Sequence, residues 1–175
     1  ELLLSIEVTD RGGAAISLEA GAEQTVQMML DTKSASQKVL LAGNGGSSAI
    51  VSHVQNDLCK ATGVKAMVFT EQPLLTALAN DEGYGSVFEW PIKMWAEPND
   101  LFITVSSSGQ SENIVRGLKA AREKSCRVIT FSGFDPDNPS RGLGDLNFYV
   151  PSSVYAYVET AHTALAHFMT TKAAR

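Results

Sequence analysis

The chain has 175 residues, with 14 Lys and Arg against 19 Asp and Glu, a net charge of −5, and 44% hydrophobic residues. That length accommodates one domain with its own core, and mild acidity without clustered Lys or Arg excludes a nucleic-acid surface. No apolar run reaches membrane-spanning length and no secretory pattern opens the chain, so a cytoplasmic location is expected.

In chain order, residues 1–13 read as an N-terminal extension that breaks at Gly12-Gly13, and residues 14–175 as the domain. From Ala14 the pattern turns helical, with Leu18, Ala22, Val26, Met29 and Leu30 mostly at three- and four-residue steps, and should end between Asp31 and Ser36. Val39 to Ala42 is a strand that runs into Gly43-Asn44-Gly45-Gly46, and Ser47-Ser48 open the next helix. Val64 to Phe69 is a second strand, Leu74 to Ala79 a short helix, and Asn80 to Gly85 a polar turn. Ser86 to Ala96 is helical, with Pro91 in its first turn or at a kink. Leu101 to Val105 is a third strand, followed by the serine-rich loop Ser106 to Ser111 and a helix carrying Ile114, Val115, Leu118 and Ala121. Arg127 to Phe131 and Leu146 to Val150 are the last strands, separated by a polar loop from Phe134 to Gly144. Val154 to Ala173 is the final helix, with an apolar stripe of Val154, Val158, Ala161, Leu165 and Phe168. Cys59 and Cys126, far apart and without Cys neighbours, are expected as small buried hydrophobes in a reducing compartment.

Nearly continuous apolar strands alternating with helices predict an α/β three-layer sandwich, a five-stranded parallel sheet covered on both faces. Ligands in such sheets sit beyond the carboxyl ends of the strands, where both conspicuous loops fall. A glycine-rich turn lets backbone approach a ligand, and helix-start N–H groups are unpaired and partly positive. Ser106, Ser107, Ser108 and Ser111 cluster with Gly109 at such a helix start. One serine would serve as a helix cap; four can wrap phosphate oxygens without a Lys. No Gly-Lys-Ser/Thr ending follows, which disfavours nucleotide hydrolysis.

A second polar set is split between two helices. His53 and Asp57 share a helix face through four-residue spacing. Glu159 and His167, eight residues apart and so roughly 80° around the last helix, can flank one cavity, with His162 on the same helix. Two imidazoles and two carboxylates suit a first-row metal. On spacing alone, solvent-facing polar groups and core-bonded histidines are the simpler reading.

The glycine loop Gly43 to Ser47, Asn80-Asp81, the serine loop and the Glu159 to His167 helix together resemble the sugar isomerase (SIS) domain family, most closely its phosphoheptose isomerase branch. The likeness runs from about Ala14 onward. It implies a homotetramer with sites at subunit interfaces, and conversion of sedoheptulose 7-phosphate into an aldoheptose 7-phosphate. It places phosphate on Ser106, Ser107, Ser108 and Ser111, sugar contacts on Asn44, Gly45, Gly46 and Ser47, and further contacts on Asn80, Asp81 and Glu159. Its zinc ligands fall on His53, Asp57, Glu159 and His167, with Asp57 and His167 as the proton-moving pair. The chain departs from the family pattern at four positions: Asp57 stands where the family has Glu, Glu159 where it has Gln, Ala61 where it has Arg, and Ala156 where it has Asp. Asp is shorter than Glu by one C–C bond, about 1.5 Å. A non-catalytic SIS protein, either a sugar-phosphate sensor or a scaffold of the replication-initiator-binding kind, is the alternative expectation.

Overall fold

The computed structural model describes residues 2–175, and in it five parallel strands lie side by side in one seven-stranded sheet. These are β3 (Lys38–Gly43), β4 (Lys65–Val68), β5 (Leu101–Val105), β6 (Arg127–Gly133) and β7 (Leu146–Val150). The remaining two, β1 (Glu7–Asp10) and β2 (Ala15–Ile16), form a hairpin. The order across the sheet is β2-β1-β7-β6-β5-β3-β4, with β1 antiparallel to β7. The sheet therefore extends two strands past the expected five, and the expected N-terminal extension contributes one of them.

Alternation along each buried strand divides the core. Val39 and Leu41 of β3, with Leu101, Ile103 and Val105 of β5, face one side. Leu40, Ala42 and Phe102 face the other. The first side is covered by α1 (Leu18–Ser34), α2 (Gly45–Asp57) and α6 (Tyr155–Ala173); the second by α3 (Gln72–Asp81), α4 (Glu89–Trp95) and α5 (Glu112–Glu123).

Helix α1 begins later than its apolar pattern, because Ala15 and Ile16 pair with β1 and the Ser17 side chain accepts from Ala20 N to cap the first turn. Pro91 sits early in α4, where its missing N–H has no helical acceptor to lose. The stripe expected on α6 is corrected at both ends: Val158, Ala161 and Leu165 are buried, whereas Val154 and Phe168 are exposed. Met169 and Ala173 complete the buried face instead. Cys59 also departs from expectation. It is exposed just beyond α2, where Leu58–Thr62 widens into a π-turn, and only Cys126 is buried. Among the described residues no helix is long and apolar enough to cross a membrane.

The chain leaves β3 for the edge strand β4, then returns to the other side of β3 as β5. The carboxyl ends of β3 and β5 are thus the topological switch point, where a crevice opens in parallel sheets. The glycine loop follows β3 and the serine loop follows β5, with Gly43 paired to Val105.

Candidate functional site

Two helices start at this crevice, and neither start is capped by its own side chain. Asn44 precedes α2 and Ser111 precedes α5, and neither makes a side-chain cap bond. The amide of Asn44 instead exchanges two hydrogen bonds with Asn113, each 2.9 Å, which ties the two loops together. Tyr84 Oη donates to Asn44 Oδ1 at 3.1 Å. Apart from Ile114 N, which donates to Asn113 Oδ1 at 3.0 Å, the first N–H groups of the two helices can meet an anion.

Between the loops lies a polar cavity of about 110 Å³ lined by Asn44, Ser47 and all four serines of the loop. Ser106 Oγ accepts from Gly109 N, and Ser108 Oγ from Gln110 N. Ser107 Oγ is buried without a partner, and an unpaired buried hydroxyl is unfavourable unless something else bonds it. Gly109 makes the loop possible. It adopts φ +63°, and a Cβ there would lie 2.0 Å from Asn138 Oδ1. Tyr155 and Glu159 form the outer wall.

Glu159 also lines the neighbouring groove of about 440 Å³ between α2 and α6, together with Gly46, His53, Ala156 and His167. The two helices lie side by side in the same direction. Glu159 packs over Gly46, where a Cβ would come within 2.6 Å of its carboxylate. Further along, the His53 and His167 rings stand 4.4 Å apart, and Thr170 Oγ1 donates to Asp57 Oδ2 at 2.9 Å. His53 Nε2 is 3.4 Å from Asp57 Oδ1, and His167 Nδ1 is 3.7 Å from Asp57 Oδ2.

His53, Asp57 and His167 each offer a ligand atom within 4.8 Å of the others, so this group can hold a metal ion. Two neutral imidazoles and a carboxylate are a donor set that fits a first-row divalent ion with an open position. Glu159, expected as the fourth ligand, lies outside the group. Eight residues of helix separate it from His167 by about 12 Å. It shares the groove as anticipated, but at the end nearer the serine loop.

His162 faces the core. It is fully buried, Nε2 donates to Ser132 O at 3.1 Å, and Phe131 meets its ring edge-on. Burial pushes its pKa down to about 4 against the partial support of that hydrogen bond, so it is neutral. Asn80 and Asp81 are not brought to either cavity. They sit exposed on the last turn of α3, Asn80 Nδ2 donating to Asp81 Oδ1. Their segment reaches the site through Tyr84 instead. Tyr84, Asn113 and Tyr155 are the contributors that sequence reasoning missed. Only Asn113, two residues into a helix start beside Ser111, carried a readable signal.

A family model described as "SIS domain" matches residues 14–133. The phosphoheptose isomerase of Syntrophotalea carbinolica is 34% identical over 151 residues, covering 82% of this chain and 76% of that protein. The solved phosphoheptose isomerase of Neisseria gonorrhoeae superposes with a TM-score of 0.82 at 30% identity, over 89% of this chain and 86% of that one. The Francisella tularensis phosphoheptose isomerase structure gives a TM-score of 0.83 over 89% of this chain and 85% of that one; at 24% identity it attests the fold. With its sheet, its two strand-end loops and a family match over most of its length, the chain belongs to the SIS domain family.

Proposed function

We propose that this chain is an aldose–ketose isomerase acting on a phosphorylated sugar, with sedoheptulose 7-phosphate as its first candidate substrate. The observation that carries the reading is the adjacency of the two cavities, since Glu159 lines both. A phosphate held by Ser106, Ser107, Ser108 and Ser111 would point the rest of the sugar past Glu159 toward His53, Asp57 and His167. The names of the relatives support the seven-carbon sugar, and the reading carries a cytoplasmic setting with it.

The chain's own groups divide the work. The serine hydroxyls and two helix starts bind the phosphate, and that remote binding orients the weakly held reacting end. Asn44, fixed by Asn113 and Tyr84, and the backbone of Gly45, Gly46 and Ser47 would contact the sugar hydroxyls. Asp57, its Oδ2 held by Thr170, takes the proton from the carbon beside the carbonyl and returns it to the neighbouring carbon. His167 moves a proton between the two substrate oxygens. A divalent metal bound by His53, Asp57 and His167, with zinc the first candidate, would polarise those oxygens.

The direct test is to incubate metal-replete protein with a panel of ketose phosphates and follow aldose formation by NMR. Asp57→Glu sharpens it, because the longer side chain restores the family's reach at the same charge. Retained or raised turnover of sedoheptulose 7-phosphate is expected. A second reading, a sugar-phosphate sensor or scaffold, is favoured by the small side chains at Ala61 and Ala156, the latter in the groove itself. It stands if neither form isomerises any ketose phosphate while sugar phosphate and metal still bind.

A further inference from the structure

The opposite end of the sheet carries a cluster that the proposed reaction does not use. Arg127 opens β6, Arg122 lies in the last turn of α5, and Ser125 and Cys126 form the turn between them. Asp145 immediately precedes β7, and Arg11 sits at the tip of the β1–β2 hairpin, which the pairing of Asp10 with Leu146 brings to the same place. These six residues line one cavity of about 410 Å³. The length of β5, about 17 Å at ~3.3 Å per residue, separates it from the serine loop.

The arginines there are only partly satisfied by the protein. Arg122 Nη1 donates to both oxygens of Asp145, at 3.0 and 2.9 Å, and its Nε to Leu143 O at 2.8 Å. Arg127 Nη2 donates to Thr32 Oγ1 at 2.7 Å and Met28 O at 3.2 Å, while its nearest carboxylate, Asp31, stands 3.9 Å away. Those bonds clasp α5 to β7 and α1 to β6. They leave Arg122 Nη2 and Arg127 Nε buried with no partner, and unmet donors on charged groups are unfavourable in a protein interior. Arg11 is exposed and makes no ion pair among the described residues. Asp145 offsets one of these charges, and its Oδ2 also accepts from Val128 N at 2.7 Å. Three guanidinium groups against Asp145 and the more distant Asp31 leave the cavity an excess of positive charge in a chain of net charge −5.

We propose that this cavity binds a small dianion of the phosphate-monoester class, at a site separate from the serine loop. Guanidinium forks match phosphate oxygens in pairs, and the volume lies within the range of small-molecule pockets. Calorimetry of the full chain with inorganic phosphate at low ionic strength tests this. Two classes of site per chain are expected. Arg11→Glu should weaken one class on the order of tenfold or more, since it reverses a charge beside a dianion. Ser107→Ala with Ser108→Ala should weaken only the other and leave a class that still depends on Arg11. Arg11→Ser serves if the charge reversal disturbs folding. A single class that the serine variant abolishes, or a second class indifferent to both Arg11 variants, would overturn the proposal. Because the remaining class is read in the serine variant, the outcome stands apart from whether the chain isomerises sugars.

Discussion

Ser107 presents the least satisfied hydroxyl at the strand-end crevice, buried between helix starts that carry no side-chain caps. Hydrogen bonds to a charged group contribute about 1.5–3 kcal/mol each. Ser107→Ala with Ser108→Ala, which removes two such bonds, should therefore weaken sugar-phosphate binding by about a hundredfold or more while leaving the unphosphorylated sugar nearly unchanged. Equal losses for both ligands, measured by calorimetry, would place the phosphate elsewhere. His162 sets a different dependence. Its pKa in the fold, pushed down to about 4 by burial, lies below the ordinary value of 6.5. The unfolded chain thus takes up more protons between those values, and the stability present above pH 6.5 is lost as pH falls toward 4. His162→Gln keeps a donor for Ser132 O and removes the titration. In chelator, so that metal loss plays no part, the wild type should lose about 2 kcal/mol more than the variant between pH 7 and pH 5. Parallel urea-unfolding profiles for the two proteins would refute this.

At the scale of elements, the serine loop depends on one backbone conformation. Gly109 is left-handed, and its carbonyl accepts from Ser140 N and Ser140 Oγ. Gly109→Ala combines an unfavourable φ with a collision against Asn138, and should destabilise the fold by about 2–4 kcal/mol while loosening phosphate binding. A denaturation midpoint equal to the wild type's would show that the loop tolerates the side chain. The central strands were legible because burial on both faces makes them nearly continuously apolar, and Leu101–Val105 and Leu146–Val150, with Thr104 and Asn147 their polar interruptions, fall where the sequence places them. Strand β1 was not legible. Glu7–Asp10 carries one buried apolar residue, Val8, and owes its form to pairing with β7. The same limit applies to the site. Four-residue spacing announced His53 and Asp57, but only the packing of α2 on α6 determines that His167 joins them and Glu159 does not. Asn80 and Asp81 looked like a polar contact, whereas Tyr84, three residues later, makes the bond.

For the molecule as a whole, the metal-competent group lies on an outer face, with the side chains of His53 and His167 about half exposed at 51% and 50%. Tyr157 and Phe168 of α6 are exposed, as are Trp90, Met94 and Trp95 of α4, and grouped apolar exposure marks faces that meet partners. Helix α1, by contrast, packs against the core and α6. A homotetramer is expected, with neighbouring copies covering these faces. A monomer mass by light scattering at micromolar concentration would overturn it.

The N-terminal hairpin has a consequence for behaviour in solution. With β1 paired along it, β7 is an interior strand and all five of its residues are buried. The sheet's boundary on that side is β2, two residues long, and on the other β4, four residues beginning with an exposed Lys65. Short margins, one of them opening on a lysine, offer little ladder for another chain to extend. Removing the hairpin would uncover the full hydrogen-bonding rim of an apolar strand, a template for edge-to-edge aggregation. The β1–β2 hairpin thus guards against self-association through the sheet and leaves the helical faces for any assembly.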